Sequence, residues 1–467
     1  MLAEVKFSYG DLRVDNLVKK FYQSILEKCS ICIRAIAGSR KNEVAFHRLI
    51  KNSKFNKDKI LEEAVCHSQG IAKNIDHILC IQDTTELMFD TENTRVREGL
   101  GPLTVSYCKG FFLHPGLLVD ASNYAILGVS DIIHWVRKEK TKRVPEDKKR
   151  DMSYKKLPIE KKESYRWLKL AENTKLRFSH VKRITIIADR ESDIYEEWDR
   201  IPNKQVQLIT RASRDRNLSD GTSLYAKLDE RQPSFNYSIN LSEITGKREK
   251  RNANISVSYT SVKILRPQNY KNRSPNESIL LNAILVKETT ETVLEKDRIV
   301  WRLLTTHTLN EVNEVRQIIT WYTKRWLIEQ LFRTLKTQGI NIESSQLEKA
   351  ESLLKLSIAA LITAVKTMQL VQARNGLNNR ELDDVFTKED EKILEKLNVK
   401  LEGKTEKQKN PHKKSSLAWG GWIIARLGGW MGYRCERPPG PITMKRGLDF
   451  FQKIKFGWML EEDVCIP

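Results

Sequence analysis

The first part of the chain has apolar residues at helical spacing. They recur every three or four positions in LVKKFYQSILEKC, in FHRLI and in KILEEAVCHS. The polar segments GSRKNE and KNSKFNKDK, rich in Lys and Arg, separate these runs. The pattern therefore predicts a small, basic helical domain over residues 1–73.

The pattern then changes to short apolar runs of the kind that forms buried strands. HILCIQD ends in Asp83 and ITIIAD ends in Asp189. FFLHPGLLVD and YAILGVSDIIHWV flank Ser122 and Asn123, which is typical of a hairpin. QVQLITRAS and residues 302–306 predict further strands, and ESDIYEEWDRI predicts a helix between strands. Strands that alternate with helices indicate an α/β fold.

Residues from about 215 to 300 have a different pattern. FNYSINL, ANISVSYTSVKIL and SILLNAILVKE alternate polar and apolar positions, as half-buried strands do. We predict a β-rich insertion that packs as a small sheet of its own.

The last part of the chain returns to helical patterns. One pattern runs from Asn310 through Thr337, and a strongly apolar one covers residues 346–374. Residues 375–415 are charged, which predicts a partly mobile linker. The tail from Trp419 to Gly457 contains several aromatic residues and Gly-Pro turns.

The charge balance of the chain indicates a polyanionic partner. Lys and Arg number 81 against 60 Asp and Glu, which gives +21. Nucleic acid is the commonest partner of such a charge, and a solvated basic surface is the alternative. We see no membrane-spanning apolar run and no signal peptide, and the seven cysteines are dispersed. These features predict a cytoplasmic location with reduced thiols.

The segment WYTKRWLIEQLFRTLK carries the most specific pattern. On one continuous helix with about 100° per residue, Tyr322, Arg325, Glu329 and Lys336 would share an arc of roughly 60°. The apolar residues would occupy the opposite side. An ordinary amphipathic helix with solvated charges has the same pattern, so this helix alone leaves both interpretations open.

Two further carboxylates favour a functional interpretation. Asp83 and Asp189 each end a buried-strand pattern, and such ends face the crevice where α/β proteins place their chemistry. Together with Glu329 they would form an all-oxygen site that suits Mg²⁺ or Mn²⁺ better than zinc. Two such ions are the usual requirement of phosphoryl transfer between nucleic-acid strands.

The order of these motifs resembles a known family. Tyr322, Arg325, Glu329 and Lys336 are separated by two, three and six residues, which reproduces the YREK signature of the bacterial insertion-sequence-four family of DDE transposases. QDTTEL and ADRESDIY are similar to that family's two aspartate motifs, and ARLGGWMGYRCERPPGP is similar to its C-terminal region. The resemblance covers most of the chain.

The resemblance implies a fold with a ribonuclease-H-like catalytic core over 74–345, interrupted by the β-rich insertion. It further implies a helical DNA-end-binding domain over 1–73 and a helical C-terminal domain over 346–467 that pairs two protomers. The overall class is then α/β, and a homodimer acts on double-stranded DNA at inverted transposon ends and on target DNA. The location is the bacterial cytoplasm, near the nucleoid.

The resemblance also implies roles for single residues. Asp83, Asp189 and Glu329 would be the catalytic residues and the ligands of two divalent ions, Mg²⁺ or Mn²⁺. The family's reaction is nicking, hairpin formation, hairpin opening and strand transfer. The residues implied to contact DNA are Tyr322, Arg325, Lys336, Arg211, Trp301 and Trp326.

Among these DNA-contacting residues, the two tryptophans are candidates to stack on a base that leaves the helix. Core packing is the alternative for both, and a plain surface position is the alternative for Arg211.

Two other functions remain open from the sequence. One is a structure-specific metal-dependent nuclease of the same fold without strand transfer. The other is a domesticated DNA-binding protein that has lost catalysis. The signature helix and Trp301 argue against the first, and the presence of all three carboxylates argues against the second.

Overall fold

The structure is a computed structural model of the chain. The residues that it describes are 9, 11–28, 30–90, 97–105, 107–138, 157–241, 243, 249–268, 276–291, 293–294, 297–433 and 436–464. Cys29, Cys435 and Cys465, three of the seven cysteines predicted to be reduced thiols, lie outside these residues. The described chain forms two compact units, one with residues 1–75, 84–139 and 326–467, the other with 76–83 and 140–325.

The first unit begins with the helices predicted for the N-terminal region. They are α1 (Leu12–Lys28), α2 (Ile33–Ala37), α3 (Arg40–Lys51) and α4 (Lys57–Ala72). The polar segments between them supply helix caps, since the side chain of Ser39 accepts a hydrogen bond from Asn42 N and that of Asn56 accepts one from Asp58 N. Phe21, Phe46 and Phe55 pack edge to face in the middle of this bundle.

The same unit contains the predicted hairpin. Its strands are β2 (Thr85–Asp90), β3 (Gly101–Pro102), β4 (Lys109–Asp120) and β5 (Ile126–Trp135). β4 pairs antiparallel with β2, β3 and β5, and Ser122 and Asn123 lie in the turn between β4 and β5. Asp120 and Asn123 hold that turn by accepting hydrogen bonds from the backbone of Ser122 and Ala125.

The C-terminal part of this unit is helical. Its helices are α9 (Trp326–Lys336), α10 (Ala350–Ala373), α11 (Lys388–Leu401), α12 (Leu417–Leu427) and α13 (Pro441–Val464). By length and composition, with a mean hydropathy of 1.5, α10 resembles a membrane-spanning helix, which the sequence analysis did not predict. However, 78% of its apolar window is buried inside the fold, as in the core helix of a globular unit.

The predicted linker over residues 375–415 is wrong. This segment contains α11, and the helix buries Ile393 and Leu394 against Trp419 and neighbouring apolar side chains. A capping box between Thr387 and Asp390 starts the helix. Most charged residues of this helix are exposed or half-buried, whereas Asp390 is buried and lies 2.8 Å from Lys455 Nζ.

The second unit is built on one mixed sheet with flanking helices. Its strands are β1 (His77–Gln82), β6 (Arg183–Ala188), β7 (Val206–Arg211), β8 (Phe235–Leu241), β9 (Arg251–Leu265), β10 (Ser278–Glu288) and β11 (Val300–Thr305). Its helices are α5 (Tyr165–Arg177), α6 (Tyr195–Arg200), α7 (Leu224–Asp229) and α8 (Val312–Thr323). β1, β6 and β7 run parallel and side by side, and β11, β10, β9 and β8 continue the sheet antiparallel.

The predicted insertion does form strands, but it does not form a separate sheet. β10 pairs with β11 from Asn282↔Thr305 to Lys287↔Val300, so the inserted strands extend the sheet that contains β1, β6 and β7. An ion pair from Arg251 Nε to Glu288 Oε1 at 2.9 Å fastens β9 to β10. The alternating pattern predicted the strands but carried no information about their partner.

The long helix predicted from Asn310 to Thr337 is interrupted. α8 ends at Thr323, and Lys324 and Arg325 form a turn before α9 starts at Trp326. The backbone N–H groups of Lys324 and Arg325 donate to carbonyls three residues back, at 2.9 and 3.1 Å, which tightens the last turn of α8. The boundary between the two compact units falls at this turn, after Arg325.

Candidate active site

Two aspartates stand at matching positions on neighbouring strands of the second unit. Ile81 of β1 pairs with Ile187 of β6 in parallel register, so Asp83 and Asp189 each follow by two residues. Both strands are buried along almost their whole length because both carry near-continuous apolar runs. The structure thus places both carboxylates at the carboxyl ends of adjacent parallel strands, where the sequence predicted only a buried strand before each aspartate.

An arginine, Arg211, lies at the same edge of the sheet as the two aspartates. Ala188 of β6 pairs with Thr210 of β7. Asp189 and Arg211 each come one residue after this pair, so they are level with each other on neighbouring strands. Arg211 Nη2 donates to the carbonyl of Val300 at 3.1 Å. This contact ties the end of β7 to the start of β11, where Trp301 lies.

The first aspartate has a cationic neighbour. Arg325 Nη1 lies 3.3 Å from Asp83 Oδ2, and the two side chains are 17% and 20% exposed. The ion pair joins the turn after α8 to the end of β1. Arg325 therefore lies at the carboxylate edge, where a guanidinium can bind either the aspartate or a phosphate oxygen.

The second aspartate shapes the chain that follows it. Asp189 Oδ1 accepts a hydrogen bond from Glu191 N at 2.8 Å, and the side chain caps a short 3₁₀ turn, Arg190–Ser192. One carboxylate oxygen is engaged in this cap. The cap fixes the direction of the side chain at the end of β6.

Two aromatic side chains complete this edge. The rings of Trp301 and Tyr322 meet edge to face with centroids 5.3 Å apart. Tyr322 is 4% exposed, and burial raises the pKa of its hydroxyl, while Arg325 and Arg211 act in the opposite direction and Asp189 in the same direction. Tyr322 is thus a neutral hydrogen-bonding group among charged ones.

Three of the predicted residues belong to the first unit. Trp326, Glu329 and Lys336 lie on α9, where Trp326 is 49% exposed. Lys336 Nζ lies 3.3 Å from Glu343 Oε1, so its charge is paired in this structure. The arc of roughly 60° predicted for the signature residues assumed one continuous helix, and the turn at Arg325 makes that construction wrong.

One residue of this region has a role that the sequence did not assign. The carboxylate of Asp193 accepts hydrogen bonds from Ser213 N at 2.7 Å, from Arg214 N at 3.0 Å and from Arg216 Nε at 3.1 Å. Asp193 and Arg216 are 1% and 8% exposed. The pair ties the segment after Asp189 to the segment after Arg211, and ADRESD gave the only hint of it in the sequence.

The oxygen donors at this edge fit a hard divalent cation in chemical type. Within the part of the chain that the structure describes, however, His, Cys, Asp and Glu side chains form no group of three that could hold a metal. One oxygen of Asp83 lies 3.3 Å from the guanidinium of Arg325.

Part of this chain matches a family of transposase domains. Residues 161–365 match the family described as "Transposase DDE domain". The matched range is a little under half of the chain, and it includes Asp189 and the whole signature from Tyr322 to Lys336, but not Asp83. The match supports a DDE transposase and transposase function.

One solved structure similar to this chain is the piggyBac transposase synaptic complex with hairpin DNA. Its sequence is 10% identical, the alignment covers 97% of this chain and 69% of that one, and the TM-score is 0.35. At this level the likeness carries no argument about this chain.

Proposed function

We propose that this chain is a DDE-type transposase that cuts and joins DNA by two-metal-ion phosphoryl transfer. The observation that supports it is the pair Asp83 and Asp189 at the carboxyl ends of adjacent parallel strands, of which Asp189 lies inside the stretch that matches a transposase DDE domain. The mixed α/β sheet of the second unit is compatible with a ribonuclease-H-like core.

The three carboxylates have a common role in this proposal. Asp83, Asp189 and Glu329, four residues after Arg325, hold two divalent ions, Mg²⁺ or Mn²⁺. Such ions lower the pKa of an attacking water or hydroxyl and neutralise charge on the leaving oxygen. Arg325 alternates between Asp83 and a phosphate oxygen, which keeps the carboxylate oriented before DNA arrives.

The other predicted residues hold the DNA backbone and its bases. Arg211, Arg325 and Lys336 supply positive charge for phosphates, and the buried hydroxyl of Tyr322 supplies a neutral hydrogen bond. Trp301 and the exposed Trp326 offer faces on which an unstacked base can rest. This arrangement suits a strand that is bent sharply, as in hairpin formation, opening and later strand transfer.

The partners follow from the same proposal. The basic N-terminal helices α1–α4 recognise double-stranded DNA at the inverted ends, and the C-terminal helices pair two protomers so that two ends are held together. Phe450 and Phe456 of α13 are 49% and 66% exposed, and large exposed apolar side chains on one helix fit a protein contact. The location of this activity is the bacterial cytoplasm, at the nucleoid.

The test is cleavage of DNA taken from the flanks of the gene, with Mg²⁺ present. We expect Asp83→Ala, Asp189→Ala and Glu329→Ala each to lower the cleavage rate at least about a thousandfold while DNA binding persists. Asp76→Ala is the matched control, because Asp76 is an exposed carboxylate at the other end of β1 and is paired with Lys182. Full cleavage by any of the three variants would remove that residue from the site.

The alternative functions give different products in the same assay. A nuclease without strand transfer would cut the flanking DNA but leave no hairpin and no joined product. A domesticated binding protein would bind the DNA and cut nothing at any Mg²⁺ or Mn²⁺ concentration.

A further inference from the structure

A groove in the first unit is lined by three segments that are distant in sequence. Its volume is about 780 Å³. The segments are residues 30–34, which lead from the α1–α2 connection into the first turn of α2, residues 337–347 after α9, and the first turns of α13. His47 of α3 adds one more side chain to the rim.

The charges in this groove have one sign. Arg34, Lys445 and Arg446 line it together with His47, and its lining residues include no carboxylate. Over the described residues, none of these four side chains makes an ion pair. By contrast, Lys336 in the same unit is paired with Glu343 at 3.3 Å.

The fold holds these cations in place. A Cβ on Gly447 would lie 1.8 Å from the carbonyl oxygen of Ile424, so α13 packs backbone to backbone on α12 at this point. A Cβ on Gly339 would lie 3.8 Å from Cδ of Lys445, which places the stem of that lysine against the segment after α9. The close packing fixes the start of α13, and Lys445 and Arg446 with it, on the groove.

Cations that converge on a concave surface without counter-charges repel one another. A bound polyanion removes that repulsion, and DNA gains free energy from the counterions that it releases. Neutral hydrogen-bonding side chains also line the groove, among them Ser344 and Gln346, and such groups contact phosphates in protein–DNA complexes.

We propose that this groove, defined by Arg34, His47, Lys445 and Arg446, holds the sugar–phosphate backbone of DNA. The inference rests on the proposed function and adds a contact surface built largely from the C-terminal helix α13 and the segment after α9. The DNA is either an end of the element or the target, since both present the same phosphate backbone.

Cys32 gives a direct probe, because it is exposed and lines the groove, whereas Cys66 on α4 is exposed and does not line it. The native chain is treated with N-ethylmaleimide alone, with duplexes of about 40 base pairs from each gene flank, or with a scrambled duplex. Peptide mass spectrometry then follows the two thiols separately. We expect bound DNA to slow labelling of Cys32 about tenfold and to leave Cys66 within about twofold, since a thiol reacts only where reagent reaches it.

The arms of this experiment separate the sources of the DNA and the two proposals. Protection by flank duplexes alone assigns the groove to an end, and equal protection by the scrambled duplex assigns it to target DNA. Equal labelling of Cys32 with and without DNA, in a chain that binds or cuts that DNA, overturns the groove and leaves the transposase intact. A native chain that neither binds nor cuts any of the duplexes overturns the proposed function itself.

A charge-removal series measures the contribution of the groove to binding. The groove variant is Arg34→Ala/Lys445→Ala/Arg446→Ala, and the control variant is Lys400→Ala/Lys404→Ala/Lys407→Ala. We expect the groove variant to make the slope of log K for DNA binding against log salt concentration shallower by about two to three, close to one per lost phosphate contact. The control triple variant should leave the slope unchanged, and an equal change in both would overturn the groove. Both variants remove the same formal charge from exposed or half-buried positions.

Discussion

The two ends of strands β1 and β6 differ in chemistry although they belong to the same sheet. The carboxyl ends lead into Asp83 and Asp189, with Arg325 paired to the first. The amino ends carry His77 and Thr185, and Thr185 Oγ1 lies 2.8 Å from Nε2 of His77. The carboxyl end carries two carboxylates and Arg325, whereas the amino end has a hydrogen-bonded cluster of His77 and Thr185 beside the Asp76–Lys182 ion pair.

Each end also contains a buried titratable group, and the two respond to pH in opposite directions. Beyond the carboxyl end of β6, burial raises the pKa of Glu197 to about 8, although its hydrogen bond from Ser192 opposes this. At the amino end, burial and then repulsion from His77 and Arg183 lower the pKa of His307 to about 3. Both groups are therefore uncharged at neutral pH, which suits their low-dielectric surroundings.

The largest predicted effect concerns the Asp193–Arg216 ion pair, which is called the anchor of the carboxyl end below. Asp193→Ala leaves the buried guanidinium of Arg216 without its carboxylate and frees the segments after Asp189 and Arg211. We expect a loss of about 3–5 kcal/mol in the free energy of unfolding, measured by urea denaturation, together with reduced DNA cleavage. Asp220→Ala is the control, because Asp220 pairs with Lys227 on the surface; an equally small change in both variants would contradict the anchor.

The next prediction concerns the amino end under acid. The pKa of His307 is lower in the folded chain than the ordinary value of 6.5. Stability is therefore fully present above pH 6.5 and falls by up to about 1.4 kcal/mol per pH unit as the pH drops towards 3. Urea midpoints between pH 7 and 4 should fall less steeply in His307→Gln than in the native chain, and parallel curves would show that His307 does not titrate as described.

The carboxyl end should respond to base. The pKa of Glu197 is raised from 4.5 to about 8 in the folded chain. Its contribution to stability is present below pH 4.5 and is lost as the pH rises towards 8. Glu197→Gln removes this titration, so the variant should gain on the native chain between pH 6 and 9 in thermal melts. A constant difference across that range would contradict the assignment.

The smallest expected effect compares two tryptophans, one at each end. Trp301 contacts Tyr322 of α8 at the carboxyl end. Trp321, which immediately precedes Tyr322 on α8, instead packs on His77 at the amino end, with ring centroids 4.8 Å apart. Trp301→Ala should leave nicking intact and lower the hairpin yield about tenfold, in the range of one lost stacking contact. Trp321→Ala should lower stability but leave the ratio of hairpin to nicked DNA unchanged, and an unchanged ratio in both variants would return Trp301 to the core.

The sequence predicted well what depends on local pattern. The helices α1–α4, the hairpin β4–β5 and the strands that precede Asp83 and Asp189 follow from periodicity, because each buries one face or two. The strands of the insertion were predicted for the same reason. Which strand they pair with depends on contacts between residues far apart in the chain, and no periodicity encodes those.

The candidate site was predictable in part for similar reasons. Strand-ending aspartates and the signature spacing can be read directly, and the structure brings Asp83, Asp189, Arg211, Trp301, Tyr322 and Arg325 to one edge of the second unit. The turn at Lys324 and Arg325 could not be read, because neither residue breaks a helix by its own propensity. The burial of Asp193 by Arg216 also escaped prediction, since charged residues in sequence are ordinarily taken for surface.

The hydroxyl of Thr185 lies between two imidazoles, 2.8 Å from Nε2 of His77 and 2.9 Å from Nε2 of His307. A hydroxyl carries a single proton, so it donates to one ring and accepts from the other. One ring must then carry a proton on Nε2 and the other ring must carry none there. The hydrogen bonds at the amino end of the sheet therefore run in one direction, and reversing them requires the Nε2 proton to change rings together with one rotation of the threonine hydroxyl.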